Sequence, residues 1–580
     1  MRNLVQEDQY AYEELSSQGW FRLLVIEPAE NTAADQNPSP LTCRLEHRQL
    51  DGSSVDYEAI SYIWGTEDAT HQITIDGKSF SIRPHLLSIL LALRLPNQSR
   101  TVWVDAVCIN QRDVRERNHQ VLQMNAVYAQ ARQVNVWLGE ADECTLRGIR
   151  FLELLHAEAY ENRSGPPAVV GSTFQRFGAA AKTPTKRVWL DTLAAYNDYF
   201  APILSLLEDP AVVDGMDEAI KLLSRPWWRR MWTLQESVLC PTTVCWCGHY
   251  TFPIHLFYSL SYFTYFSVNF DEWRGKPLHD NISLRAVWRA ADLTQHMARK
   301  GHIGLSLALD STWSRACSDP RDKVIGLLGL IGPHVALAPQ YSWPVHKVYR
   351  VAMRAALVDD GTLHCLGFLS DRPGRRNPKL PSWVPDFEIH SAPGSDYITS
   401  LSKPIFQHGL YDASLQDVAP PPVIQSDEDD EILPNIRAFW RTVLVDLRQG
   451  SWPKPSSAIG PQRLDRQDDK WLDEGPDIDK LVGIWAACGK SGFRQLRLIE
   501  QLHRRFFITT TGYYGLGPGD LRPGDRICVF LGGAVAYAVR DGNNGTCKYL
   551  GECYVHGAMD GEIIREVEAG KQSYQTFRIR

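Results

Sequence analysis

Long apolar runs are missing from the sequence. The longest, at residues 527–539, contains two glycines and is shorter than the roughly 20 apolar residues that a helix needs to cross a bilayer. Residues 1–8 are polar and lack the apolar stretch of a secretory signal peptide. We therefore expect a cytoplasmic protein with no membrane span.

An excess of positive charge is also missing. The chain has 61 Lys and Arg against 68 Asp and Glu, which gives a net charge of -7. Proteins that follow a phosphate backbone usually present a basic field, so the charge disfavours nucleic acid as the main partner. With 580 residues, 44% of them hydrophobic, the chain is long enough to bury a sizeable core.

The 12 cysteines follow no disulfide framework, which is typical of reduced thiols in the cytosol. Cys240, Cys245, Cys247 and His249 lie close enough in sequence to suggest a zinc site. However, a single residue separates Cys245 from Cys247, whereas structural zinc sites favour two to four intervening residues. We interpret these cysteines as buried thiols on a strand and predict no metal site.

Motifs of several common enzyme classes do not occur. The chain has no Gly-x-Ser-x-Gly elbow and no His-Glu-x-x-His pair. Residues 483–491 end in Gly-Lys-Ser but contain one residue too many for a phosphate-binding loop. The glycine-rich residues 512–519 lead into a turn, so a β-hairpin explains them better. The sequence therefore does not support ATP binding.

Strands and helices alternate between residues 57 and 143. The predicted elements are a strand at 58–64, a hairpin at 71–82, a helix from 84, a strand at 102–109, a helix from 113 and a strand at 134–138. Asp76-Gly77 is a strong signal for the hairpin turn. Asp113 and Glu116 have the spacing of a capping box. This order predicts an α/β fold, with a parallel, doubly wound sheet and right-handed crossovers.

Changes in composition predict six parts along the chain. They are leader strands at 1–56, the α/β domain at 57–250, a helical region at 251–370, a Pro-rich and acidic linker at 371–435, a helical segment at 436–505 and a small C-terminal β subdomain at 506–580.

Polar residues follow three of the predicted strands. Ser61 and Tyr62 lie at the end of the first, Asp105 and Asn110 at the end of the second, and residues 139–143 after the third. The carboxyl ends of parallel strands open into one crevice, so we predict a ligand pocket there. The alternative is that Asp105 and Asn110 only cap loops and helix starts.

A second candidate site lies in residues 225–236, which we predict to form one helix with a proline in its first turn. Trp228, Trp232 and Glu236 are spaced four apart and would share one face. A carboxylate beside two indoles is partly desolvated, which raises its pKa. Such a group suits binding of ribose hydroxyls or support of an oxocarbenium-like centre.

The residues alone favour a simpler interpretation of this helix. Glu236 could form a structural ion pair with Arg229 or Arg230, and the tryptophans could be ordinary core residues.

These segments together resemble the fungal heterokaryon incompatibility (HET) domain. The resemblance rests on residues 57–65, 102–113 with Glu116 and Arg117, 120–124, 127–128, 136–139 and 227–236. Further segments, at 319–329, 381–386 and 551–562, look like those that accompany this domain in large fungal proteins. The resemblance implies that 57–250 is a HET domain and that the protein acts in fungal non-self recognition or cell death.

The HET domain is similar in turn to the Toll/interleukin-1 receptor (TIR) fold, a flavodoxin-like parallel sheet of which some members cleave NAD. In that family a helical glutamate shortly after a characteristic tryptophan is needed for cleavage, and Trp232 with Glu236 resembles that pair. The resemblance implies that Glu236 is catalytic, that NAD is the substrate and that no further cofactor is required. It implies a nucleotide pocket formed by Ser61, Tyr62, Trp64, Gly65, Asp105, Trp228 and Trp232, in which Trp64 or Trp228 stacks on a base.

Two other functions fit the same residues. The domain could be a non-catalytic interaction module that has kept a vestigial pocket and that associates with itself or with a protein partner. Alternatively, it could be an enzyme that uses the same crevice for another small molecule.

Overall fold

The computed structural model describes residues 9–16, 19–29, 40–50, 56–158, 209–266, 282–312, 315–360, 363, 365–366, 377–388, 447–449, 461–463, 505–533 and 535–580. Most of the predicted linker at 371–435 and of the predicted helical segment at 436–505 lies outside the described residues. Within the latter, the short strands Leu447–Gln449 and Pro461–Arg463 pair with each other.

Among the described residues, nine strands form one mixed sheet. In chain order they are β1 (Trp20–Ile26), β2 (Thr42–Gln49), β3 (Glu58–Ser61), β4 (His71–Ile75), β5 (Lys78–Ile82), β6 (Arg100–Trp103), β7 (Gln133–Trp137), β8 (Thr243–Cys247) and β9 (Tyr250–Pro253). Their order across the sheet is β5-β4-β2-β1-β6-β3-β7-β8-β9.

The α/β class is confirmed, and the predicted parallel sheet is confirmed in part, because the observed sheet is mixed. Strands β6, β3, β7 and β8 are parallel neighbours, whereas β1 lies antiparallel between β2 and β6. The apolar side chains of β1 are almost fully buried, which requires a central place in the sheet. The strands that we predicted as an N-terminal leader therefore pair within the same sheet as residues 58–61.

Six helices flank this sheet or connect its strands within the described residues. They are α1 (Pro84–Leu93), α2 (Asp105–Cys108), α3 (Val114–Gln130), α4 (Thr145–His156), α5 (Pro210–Leu223) and α6 (Thr233–Val238). The predicted hairpin is confirmed, and Asp76 and Gly77 turn it with φ values of 49° and 77°.

The predicted capping box at α3 is confirmed in part. The Asp113 carboxylate accepts hydrogen bonds from the amides of Arg115 and Glu116. The Glu116 carboxylate does not return to Asp113. It accepts the Asn110 amide at 2.7 Å and pairs with Arg22 of β1, which joins the start of α3 to the sheet.

The prediction of a strand over 102–109 was wrong beyond residue 103. Strand β6 ends at Trp103, and the helical turn α2 begins at Asp105. The Cys108 amide bonds to the carbonyl of Val104 at 2.8 Å, which closes this turn. Asp105 is therefore the first residue of a helical turn and not the last residue of a strand.

The prediction of one helix over 225–236 was also wrong. A 3-10 turn covers Pro226–Arg229, Arg230 is extended, and α6 begins at Thr233. The break has a tertiary cause, because the backbone on both sides of Arg230 bonds to Ala316. The Met231 amide donates to the Ala316 carbonyl at 2.8 Å, and the Ala316 amide donates to the Arg229 carbonyl at 2.6 Å. Trp228, Trp232 and Glu236 therefore do not share one helical face.

A second apolar core lies in the helical region. Helix α7 (His255–Phe266) packs mainly into the core of the sheet. The second core is built on α8 (Ile282–Lys300), α9 (Leu305–Thr312), α10 (Asp322–Ile325) and α11 (Val345–Asp360). Met231, Leu234 and Val238 pack into this second core, whereas Trp227 and Trp228 pack into the core of the sheet. The segment that carries Glu236 thus lies between the two cores.

The predicted C-terminal β subdomain is confirmed. Strands β10 (Arg505–Ile508), β11 (Tyr514–Gly517), β12 (Arg526–Val529), β13 (Ala536–Asp541) and β14 (Cys547–Val555) form an antiparallel sheet in the order β10-β11-β14-β13-β12. Helix α12 (Glu562–Glu568) follows. In the part of the chain that the structure describes, we find no helix with the length and apolarity of a membrane span.

Replacing Arg22 by Met is expected to lower the free energy of unfolding by about 3–5 kcal/mol, because removing one member of a buried ion pair leaves the other charge uncompensated. The Arg22 side chain is 0% exposed and its Nη1 lies 2.6 Å from Glu116 Oε1. Urea unfolding followed by tryptophan fluorescence measures the loss.

Arg48→Met is the matched control, since Arg48 forms an exposed pair with Glu46, and both residues lie on β2. Such pairs contribute at most about 1 kcal/mol. Adding Glu116→Gln to Arg22→Met should recover part of the loss. Equal effects of Arg22→Met and Arg48→Met would contradict the role of the buried pair.

Candidate functional site

The site centres on the hydroxyl of Ser61, at the carboxyl end of β3. This hydroxyl donates a hydrogen bond to the carboxylate of Glu236 and accepts one from the indole N–H of Trp227 at 2.7 Å. Ser61 is 1% exposed and Glu236 is 6% exposed. Since β3 lies between β6 and β7, Ser61 and not Asp105 stands at the middle of the three strand ends.

Glu236 titrates near neutral pH. Its surroundings together raise its pKa from 4.5 to about 7; burial is the largest cause, and the charge of Asp105 acts in the same direction. The charge of Arg230, the hydrogen bond from Ser61 and the charge of Arg315 lower it. Both protonation states are therefore accessible near pH 7, as acid–base chemistry requires. Among the described residues Glu236 has no salt bridge within 4.0 Å to Arg229 or Arg230, so the predicted ion pair does not form.

Asp105 lies beside this centre with Trp64 and Tyr62. The indole N–H of Trp64 bonds to both carboxylate oxygens of Asp105, at 2.9 and 3.0 Å. Arg230 donates to the Tyr62 carbonyl at 2.7 Å. Burial raises the pKa of Asp105, while Arg230 and the Trp64 hydrogen bond lower it. Asp105 therefore fixes the indole of Trp64 by hydrogen bonds. The alternative interpretation, in which Asp105 only caps a loop or a helix start, does not account for this contact.

Arg83 contacts the loop that follows β3. Its guanidinium donates to the Gly65 carbonyl at 3.0 Å and lies 5.4 Å from the ring centre of Trp64. Gly65 has a φ of +74°, a conformation that favours glycine. Within the described residues, neither Arg83 nor Arg230 forms a salt bridge to a carboxylate. The loop is thus flanked by two half-buried cations.

Two of the predicted pocket tryptophans lie elsewhere. Trp228 is 1% exposed, packs edge-on against Trp227 and Phe257, and donates its indole N–H to the Leu222 carbonyl at 3.2 Å. Trp232 is half-buried and donates its indole N–H to Asp322 at 3.1 Å. Ser61, Tyr62, Trp64, Gly65, Asp105 and Glu236 are the predicted residues that the fold brings together.

The third strand end does not contribute polar groups to this centre. The Asp142 carboxylate accepts from the Thr145 hydroxyl and the Cys144 amide, which closes the turn before α4. Arg225 binds the carbonyls of Leu138 and Glu140. The polar groups after β7 therefore stabilise the turn before α4 and the contact with Arg225.

The cysteine cluster is also structural. Cys240, Cys245 and Cys247 are buried thiols, as predicted, and burial raises the pKa of Cys245. In the residues that the structure covers, no group of three or more His, Cys, Asp or Glu is arranged to hold a metal ion.

Sequence reasoning missed three residues of the site, Trp227, Arg83 and Arg315, and considered Arg230 only as an ion-pair partner of Glu236. Trp227 lies next to the tryptophan that we chose, and no pattern distinguishes the two. Arg83, Arg230 and Arg315 contact this part of the fold mainly through backbone carbonyls. Such contacts follow no residue pattern.

Comparison with known proteins shows what the segment that contains this site is similar to. The family model for "Heterokaryon incompatibility protein (HET)" matches residues 57–236, from the residue before β3 to the candidate glutamate. This segment is similar to the HET domain. A second family model, for the "Het-6 beta-barrel domain", matches residues 486–574, of which 505–533 and 535–574 are described and contain the C-terminal β-sheet.

A relative resembles the chain along nearly its whole length. "Heterokaryon incompatibility protein 6, OR allele" of Neurospora crassa is 25% identical over 698 residues, which cover 98% of this chain and 97% of the relative. No solved structure matches. The two family matches and the relative thus make this chain similar to heterokaryon incompatibility proteins.

Replacing Glu236 by Gln is expected to stabilise the protein above pH 7 and not at pH 4.5. A pKa raised from 4.5 to about 7 means that stability is highest with the carboxyl protonated and is lost as the pH rises through 7. Gln cannot ionise, so the variant should gain about 3 kcal/mol over the wild-type protein at pH 8. Urea unfolding between pH 4.5 and 8 measures this difference.

Glu153→Gln on the exposed side of α4 is the matched control and should show no such pH dependence. A constant difference between Glu236→Gln and the wild-type protein across this range would contradict the raised pKa.

Proposed function

We propose that the chain is a HET-domain protein of fungal heterokaryon incompatibility, a form of non-self recognition. We propose further that this domain cleaves the nicotinamide–ribose bond of NAD and that this activity serves the incompatibility response. The observation that carries the proposal is the buried carboxylate of Glu236, which accepts the Ser61 hydroxyl at the end of the central parallel strand. Ligand sites of α/β proteins occur at such strand ends. A carboxylate with a pKa of about 7 retains a substantial charged fraction in the cell.

The reaction needs stabilisation of positive charge more than it needs a strong nucleophile. When the bond breaks, the electron pair leaves with nicotinamide and the ribose carbon becomes an oxocarbenium-like cation. Water then adds to this carbon and releases a proton, which gives ADP-ribose. The Glu236 carboxylate would stabilise the cation and orient the ribose hydroxyls, as carboxylates do in glycoside hydrolysis. Ser61 would hold that carboxylate in place.

The remaining groups suit the other parts of a dinucleotide. Trp64 is half-buried and held by Asp105, so its indole is fixed for stacking on a base. Arg83 and Arg230 flank the loop that carries Trp64, and guanidinium groups bind phosphates well. Trp228 is less suited to stacking because its side chain is almost completely buried.

Incubating the purified full-length protein with NAD should release nicotinamide, measured by chromatography. Glu236→Gln should lower the rate by at least about a hundredfold, because it removes the charge that stabilises the transition state. Glu153→Gln, which changes an exposed glutamate in the same way, should keep the full rate. Equal rates in the wild-type and Glu236→Gln proteins would exclude the role of Glu236.

Ser61→Ala should move the acid limb of the pH–rate profile to higher pH. The Ser61 hydrogen bond lowers the pKa of Glu236, so its loss raises that pKa above about 7 and less carboxylate is charged at a given pH. The rate should therefore fall off at a higher pH than in the wild-type protein. Ser224→Ala, at an exposed helix end, is the control. An unshifted limb would show that the hydroxyl does not tune Glu236.

A non-catalytic interaction module is the second candidate function. It is favoured by the near-complete burial of Ser61 and Glu236, which covers the carboxylate in this conformation. Calorimetry with NAD, ADP-ribose and ATP distinguishes the two functions. Failure to bind any of these ligands, together with the absence of nicotinamide release, would favour the interaction module.

A further inference from the structure

The segment that carries Glu236 is held by residues from the helical region, which lie outside the HET match at 57–236. We propose that Arg315 is a positioning residue for Glu236 and that residues 315–326 complete the candidate site. The part of this proposal that concerns catalysis rests on the proposed function. The effect of Arg315 on Glu236 can be measured without any substrate, through the pH dependence of stability.

Arg315 donates hydrogen bonds to the residues at the start of α6. It is 2% exposed, and its Nη1 donates to the Arg230 carbonyl at 3.0 Å and to the Thr233 hydroxyl at 3.3 Å. Its Nη2 donates to the Ala286 carbonyl of α8 at 3.2 Å. Thr233 is the first residue of α6, so one guanidinium joins α8 to the start of the helix that carries Glu236.

The backbone next to Arg315 also contacts the segment before α6. Ala316 pairs with Arg230, which keeps Arg230 extended and ends the preceding 3-10 turn. Without this pairing, residues 226–238 could continue as one helix, and the side chain of Glu236 would point in another direction relative to Ser61. The bridge at Ala316 therefore sets the rotation of α6.

Two side chains anchor α6 to α10 and the residue after it. Trp232 donates to Asp322 at 3.1 Å, and Asp322 also accepts the Tyr341 hydroxyl at 2.5 Å. Gln235, next to Glu236, donates its amide to the Gly326 carbonyl. These bonds hold both ends of the Trp232–Glu236 interval against the helical region.

Arg315 also acts on Glu236 through its charge. The groups that interact electrostatically with Glu236 are Arg230, Asp105, Arg315, Tyr62 and Tyr128, besides the hydrogen bond from Ser61. Burial lowers the pKa of Arg315 to about 10, so its guanidinium is still charged at neutral pH. The helical region thus contributes a buried positive charge that favours the ionised form of Glu236.

This arrangement makes the candidate site sensitive to the packing of the helical region. A change that withdraws residues 315–326 would both release the start of α6 and remove a cation from the surroundings of Glu236. The carboxylate would then be less ionised at neutral pH and less well placed against Ser61.

The test uses the pH dependence of stability in the full chain. The stability difference between Glu236→Gln and its parent is measured from pH 4.5 to 9 in the wild-type, Arg315→Met and Arg315→Gln backgrounds. Loss of the guanidinium charge should raise the pKa of Glu236 by about one unit, which moves the midpoint of this difference to higher pH by about half a unit and enlarges the difference at pH 9. Arg315→Gln removes the charge but keeps a polar side chain at this position. It replaces Arg315→Met in the test if that variant does not fold. Arg315→Lys keeps the charge and should leave the midpoint in place.

Arg289→Met is the matched control, since Arg289 is a largely buried arginine of α8 that pairs with Asp310. It should lower stability without moving the midpoint. If Arg315→Met and Arg315→Gln also leave the midpoint unchanged, the positioning role is overturned, whatever their stability. If the midpoint moves but the wild-type protein releases no nicotinamide, the proposed function fails and the coupling of Arg315 to Glu236 stands.

Discussion

A carboxylate buried between two cores is the constraint on which the centre of this protein depends. Burying the charge of Glu236 is unfavourable, and the surrounding residues offset this only in part, so that the pKa is raised to about 7. The Ser61 hydroxyl, in turn, is held by the indole of Trp227. The central strand, the 3-10 turn and helix α6 meet at these three side chains. Their positions cannot change independently.

The local features of the fold could be predicted from the sequence. The turn at Asp76-Gly77, the cap at Asp113 and the start of α1 at Pro84 all depend on residues within a few positions of one another. The strand order could not be predicted. The position of β1 between β2 and β6 depends on pairing with Val102, which lies far along the chain. No periodicity within β1 indicates that neighbour.

The helix predicted over 225–236 shows the same limit. Its residues have helical spacing, yet Arg230 is extended because its neighbours bond to Ala316, more than 80 positions later. Glu236 was singled out by its spacing from Trp228 and Trp232, but that spacing favoured a structural role, and only the resemblance implied a catalytic one. Ser61 was predicted as a pocket residue, but its contact with Glu236 follows from the three-dimensional pairing of β3 and α6. The arginines around them contact backbone carbonyls, which every residue possesses, so sequence patterns carry no record of these contacts.

The central place of β1 has a consequence for how the chain can be divided. The family match begins at residue 57, after β1 and β2, and ends at residue 236, before β8. A fragment with these limits would leave the main chain of β6 and β7 as open sheet edges, and open edges promote aggregation. It would also expose Met231 and Leu234, which the second core covers in the full chain. The segment that the family model matches is therefore shorter than the segment that forms the complete nine-stranded sheet.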